Sequence, residues 1–207
     1  MYSDDVLVAR LALRGGETMS GNEIEPMIEE TLNAIKVLFR PGQVIELRGL
    51  GHRGLTNPKR LILSGYYDNP QRLAEDAIKI SNTLGVEGTY WTLQTVDPAI
   101  LTRSANRFRE IGAREATSDE DVKAYAWLPV DIDATRKAGI SATDAEKQAA
   151  HDVLGNVVSF FRDLGISPVE ADSGNGYHAI VPVSLDKANA PLIKQVLASL
   201  ALRFDTD

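Results

Sequence analysis

Apolar residues recur at helical spacing through residues 22–39, at Ile24, Met27, Ile28, Leu32, Ile35 and Leu38, which predicts an amphipathic helix. Asn22 stands where a cap belongs, acidic residues fill the first turn, and Arg40-Pro41-Gly42 stops the run. Residues 43–48 and 60–67 change to strand patterning, separated by a glycine-rich, basic loop over 49–58. Asn69-Pro70 opens a second helix that runs to about Leu84 and ends at Gly85. Residues 88–94 predict a further strand and 97–108 a further helix. The polar stretch 111–120 reads as a linker and sets the expected domain boundary, with one subdomain over 1–120 and another over 121–207.

The second half is patterned more sharply. Residues 122–133 predict a strand, 143–164 a long helix, 168–172 and 177–183 a hairpin, and 188–202 a last helix. Thr143-Asp144-Ala145-Glu146 has capping-box spacing, and Gly165 stops the long helix. Its buried stripe is expected at Ala150, Val153, Leu154, Val157, Phe161 and Leu164. The order β-α-β-β-α is one strand short of the split β-α-β, ferredoxin-like unit. That strand is expected to begin near Phe204, so the sequence is expected to be a catalytic domain cut from something longer. The fold class predicted is α/β (α+β): an N-terminal α/β subdomain with a ferredoxin-like or RRM-like βαββα(β) subdomain.

Composition narrows the chemistry. The 207 residues are 43% hydrophobic and 25% charged, ordinary values for a folded chain. No run approaches the roughly 20 apolar residues of a membrane span, and the N-terminus lacks the basic start of a signal peptide, so a cytoplasmic location is expected. Without cysteine, and with only His52, His151 and His178, a thiolate zinc site is excluded and any metal must be held mainly by oxygen. The net charge of −7 weighs against a nucleic-acid partner, but most of it lies after residue 115. Arg40, Arg48, Arg53, Lys59 and Arg60 form one basic group, and Arg103, Arg107, Arg109 and Arg114 another. Arg48, His52, Arg53 and Arg107 are the candidate nucleic-acid contacts; a solvated surface of scattered charge is the plainer account of either group.

Two motifs carry chemistry. Trp127-Leu128-Pro129-Val130-Asp131-Ile132-Asp133 ends an apolar strand with carboxylates two residues apart, and strand alternation sends both to one face. Like charges that close are each destabilised without a cation between them, the physical case for Mg2+ or Mn2+. Taken alone, the pair also describes a strand ending in turn-capping aspartates. The second motif, Asp172-Ser173-Gly174-Asn175-Gly176-Tyr177-His178, is a hairpin signal that also gathers a hydroxyl, two glycines and an imidazole at one tip. Glycines let a phosphate approach backbone N–H groups, and Ser173 and His178 can donate to its oxygens. His178 is equally compatible with a satisfied core histidine. Together the motifs suit nucleotidyl transfer, in which a third acid commonly joins the metal site; Asp205 and Asp207 are the candidates.

Residues 125–183, carrying Trp-Leu-Pro-Val-Asp-Ile-Asp-Ala-Thr-Arg, Gly139-Ile140-Ser141-Ala142-Thr143-Asp144 and the 172–178 hairpin, resemble the catalytic core of archaeo-eukaryotic-primase-superfamily primase-polymerases. The bacterial branch, found in CRISPR-associated, plasmid and phage replication proteins, is the most similar. Looser similarity extends upstream through Val44-Ile45-Glu46-Leu47-Arg48, Ser64-Gly65-Tyr66-Tyr67 and Tyr90-Trp91-Thr92-Leu93. The resemblance implies that Asp131 and Asp133 are the first two metal ligands. It implies also that Ser173, Gly174, Asn175, Gly176 and His178 bind the incoming nucleotide, with Arg136 a further phosphate contact. Implied partners are a DNA template and primer with (d)NTPs, RNA as a further partner, and helicase or CRISPR adaptation proteins. The family's Asn-Pro-Ala-Arg-like segment and Gly-Thr turn would fall past Asp207, and neither a zinc module nor a helicase segment is present. Two other classes compete: a non-catalytic RRM-like module for single-stranded nucleic acid, and another Mg2+-dependent nucleotide enzyme such as a cyclase or phosphodiesterase.

Overall fold

A computed structural model describes residues 8–11, 21–52, 60–135 and 140–205. The chain divides into two compact units, Met1–Lys123 and Ala124–Asp207. It is a mixed α and β protein with antiparallel sheets and, among the described residues, four α-helices.

The first unit holds β1 (Val8–Leu11), α1 (Gly21–Leu38), β2 (Ile45–His52), β3 (Arg60–Tyr67), α2 (Pro70–Ser81), β4 (Val86–Thr92), β5 (Thr95–Val96) and β6 (Phe108–Glu110). Its sheet runs β1-β4-β2-β3-β6, every neighbour antiparallel. Asn69 caps α2 by accepting from the Arg72 amide, with Pro70 in the first turn. Leu47, Tyr67, Leu73 and Ile80 are fully buried in this core.

Three expectations are corrected here. The predicted glycine-rich loop begins later, because β2 continues to His52. A Cβ on Gly49 would lie 2.5 Å from Ile80 Cγ2, and one on Gly51 1.8 Å from the Gly85 carbonyl, so both are strand glycines needed for close approach. The predicted helix over 97–108 is only a 3₁₀ turn, Pro98–Arg103, capped by Asp97. Beyond it the Ser104 hydroxyl donates to the Arg107 carbonyl, and Asn106, at φ 51°, bonds Asp68 and the Asn69 amide. These side-chain bonds offer the backbone an alternative to the helix. The predicted linker over 111–120 is packed, with Ala116 and Thr117 buried.

What holds Thr117 is a buried charge cluster. Glu46, fully buried, accepts from the Arg48 guanidinium, the Ser64 hydroxyl and the Thr117 amide, while Arg48 Nη2 reaches the Thr117 carbonyl at 3.4 Å. Every partner comes from a different part of the unit, so the pair ties β2, β3 and the stretch before β7 together.

The second unit holds most of β7 (Val122–Asp133), then α3 (Asp144–Asp163), β8 (Val169–Asp172), β9 (Gly176–Asp186) and α4 (Ala190–Phe204). Within it β9 lies between β7 and β8, antiparallel to both. The capping box at Thr143 and Glu146 is formed in both directions. Ala150, Leu154, Val157, Val158 and Phe161 of α3 are buried, but Leu164, expected in that stripe, is the exposed C-cap. Along the end of β7 burial alternates: Val130 and Ile132 are buried, Asp131 and Asp133 exposed.

Glu46→Ala should cost about 3–5 kcal/mol, since it leaves the Arg48 charge buried and unpaired. Urea unfolding should show the midpoint fall, and adding Arg48→Met should recover much of the loss.

Candidate functional site

The strand register of β7 on β9 builds the site. Asp131 stands opposite His178, Ile132 opposite Tyr177 and Asp133 opposite Gly176, so Asp131, Asp133 and His178 share one face. His178 Nε2 lies 3.0 Å from Asp131 Oδ1; the imidazole is largely covered, while the carboxylate is 64% exposed. The register needs a glycine at 176, where a Cβ would sit 2.4 Å from the Ile132 carbonyl oxygen.

The turn between β8 and β9 is held by its own polar groups. The Gly174 amide donates to Asp172 Oδ1 at 2.7 Å, the Gly176 amide to Ser173 Oγ at 3.1 Å, and the Ser173 amide to the Gly176 carbonyl at 3.0 Å. Gly174, at φ 92°, occupies the left-handed region that a side chain would strain. Two amides expected to face a phosphate are therefore spent inside the turn. Ser173 accepts through its oxygen and keeps its hydroxyl proton to donate. Asn175 Oδ1 accepts from the Ala142 amide at 3.2 Å, which fixes the approach to α3 against the turn and makes Asn175 a positioning residue.

Sequence reasoning missed Lys147. From α3 it pairs with Asp172 at 2.8 Å and lies 5.5 Å from the centre of the Tyr177 ring, which also meets His151 edge-on. Nothing local in the sequence links a lysine of α3 to an aspartate 25 residues on; the contact exists only once α3 lies along β8 and β9. Burial pushes the Asp172 carboxyl up, but the Lys147 ammonium and the Gly174 amide outweigh it and hold the group below the usual carboxylate range.

Asp205 ends α4 and lines the same cavity, of about 380 Å³, as Asp131 and Asp133. Among the described residues no three histidines or acids converge on one ion position. Asp207, Arg136 and Arg53 lie outside the described residues. In the first unit Arg48 is corrected as a phosphate contact, since its side chain is 7% exposed and bound to Glu46. His52 is exposed and pairs with Glu87 at 2.8 Å. Arg103 and Arg109 are paired with Asp121 and Glu115, whereas Arg107 is exposed. No helix among the described residues is long and apolar enough to cross a membrane.

A carboxyl depressed in the folded state contributes stability at pH above its unfolded value, about 3.9, and loses that contribution as pH falls through the folded value. The Gly174 amide signal in a ¹H–¹⁵N titration should accordingly move only below the ordinary aspartate range. Lys147→Met should shift its midpoint upward.

No family model, no curated protein and no solved structure matches the chain.

Proposed function

We propose that the second unit is the catalytic core of a primase-polymerase-type nucleotidyltransferase, joining nucleotides from (d)NTPs to a 3′-hydroxyl on a DNA template. One observation carries the reading: two solvent-facing carboxylates and an imidazole project from one face of adjacent strands, beside a turn that presents a hydroxyl. The donor set fits a hard divalent cation. It offers oxygen ligands on an open face, and Mg2+ or Mn2+ commonly takes one or two carboxylates and fills its remaining positions with water and phosphate oxygens. Asp131 and Asp133 would hold the ions, which when bound neutralise the triphosphate and align the attacking hydroxyl.

The chain's own residues divide the remaining work. His178 is bound to Asp131 through Nε2, which leaves Nδ1 as the donor it can offer to phosphate oxygen, and Ser173 donates its hydroxyl proton alongside it. Asn175 and Lys147 hold the turn in place from two directions. The RRM-like alternative is weakened by Tyr177, whose ring is engaged by His151 and Lys147 of α3 rather than offered for stacking on a base.

Asp131→Ala should reduce primer extension with Mn2+ and dNTPs by about 100-fold or more while leaving the circular dichroism spectrum unchanged. Extension at the parent rate would overturn the assignment. His178→Ala should weaken dNTP binding by about tenfold in calorimetry, the worth of one charge-assisted hydrogen bond, with Mn2+ binding no weaker. Equal dNTP affinity in variant and parent would remove the role given to His178.

A further inference from the structure

A second cavity, of about 190 Å³, lies in the first unit and plays no part in the nucleotidyl-transfer reading. It sits where the end of α1 and the turn after it meet the start of β2, the end of β3 and the first turn of α2. Its walls include Ile35, Phe39, Ile45, Tyr67 and Leu73, all buried. The Tyr67 hydroxyl donates to Asp76 at 2.8 Å, so the polar end of that side chain is already taken. An apolar cavity of about 150 Å³ is enough to take up a benzene ring.

The polar groups of the lining differ in what they have left to offer. Asp68 accepts from Asn106 through Oδ1, Asn69 accepts from the Arg72 amide, and Gln43 Oε1 accepts from the Arg40 amide at 3.3 Å. Three donors lack a close partner. Lys36 has only a long bond, 3.4 Å, to Asn33; the Arg40 guanidinium is exposed and unpaired among the described residues; and Gln43 Nε2 is buried with no partner. A buried donor left unmade is costly, and the single long bond at Oε1 lets the carboxamide turn Nε2 toward an acceptor in the cavity. Lys36 and Arg40 stand against one acid, Asp68, an excess of positive charge that suits a monoanion better than a phosphate dianion.

We propose that this cavity binds a small monocarboxylate with one ring or branched apolar body. The body rests on Phe39, Tyr67 and Leu73, and Arg40, Lys36 and Gln43 Nε2 hold the carboxylate. Every lining residue belongs to the first unit, so the proposal is independent of the nucleotidyl-transfer reading.

A ¹H–¹⁵N titration of the full chain, without metal or nucleotide, tests it with phenylacetate, 2-phenylethylamine, acetate and N-acetylphenylalanine amide. Phenylacetate should bind with a Kd of about 0.1–1 mM, the range open to a ligand of its size, and move the amide signals of Gly42, Gln43 and Leu73. It should bind about tenfold more tightly than each of the others. Arg40→Glu, at an exposed position, should weaken phenylacetate about tenfold and make 2-phenylethylamine the better ligand. Gln43→Leu, which keeps the bulk and removes the donor, should weaken phenylacetate about threefold or more. Equal affinity for phenylacetate and 2-phenylethylamine, or signals that move only outside the lining, overturns the proposal. N-acetylphenylalanine amide bound as tightly as phenylacetate would make the cavity a seat for a partner protein's ring and overturn the small-molecule assignment.

Discussion

The close approach of β7 to β9 at Gly176 is the constraint on which the second unit's chemistry depends. With the Ile132 carbonyl 2.4 Å from where a Cβ would be, only glycine lets the two strands meet there in register. That register places His178 across from Asp131 and brings the turn beside Asp133. A slip of one residue would turn both aspartates toward α3 and expose Val130 and Ile132, burying charge and wetting apolar surface in a single step. Hydrophobic burial on one face of β7 thus fixes the positions of polar groups on the other.

Much of this unit was legible in the sequence because its signals are local. The Thr143 and Glu146 box, the spacing of the apolar residues in α3, and the glycines around Asn175 each act within a few residues of themselves. Strand alternation was enough to put Asp131 and Asp133 on one face. The inward roles of Asn175 and of the Gly174 and Gly176 amides were not legible, since a turn that satisfies its own donors looks the same in sequence as one that offers them. Lys147 was hidden for a related reason: its partner is brought to it by the packing of α3 on the sheet.

The first unit was harder to read because its determinants are distant contacts. Gly49 and Gly51 look like loop residues until Ile80 and Gly85 are seen against them. The stretch 111–120 is polar like a linker, yet it supplies the Thr117 amide and carbonyl to Glu46 and Arg48, some 70 residues earlier. Polarity there marks satisfaction of a buried ion pair rather than exposure to water. The same pair explains why a basic residue in a basic stretch, Arg48, faces inward.

The bond from the Ala142 amide to Asn175 has a mechanical consequence. With the Lys147 pair to Asp172, it ties the start of α3 to the hairpin tip at two places, Asp172 before the turn and Asn175 within it. The Gly176 amide, bonded to Ser173, carries that restraint on into β9. Helix and hairpin tip therefore act as one lever, and a load placed on either is felt at the other.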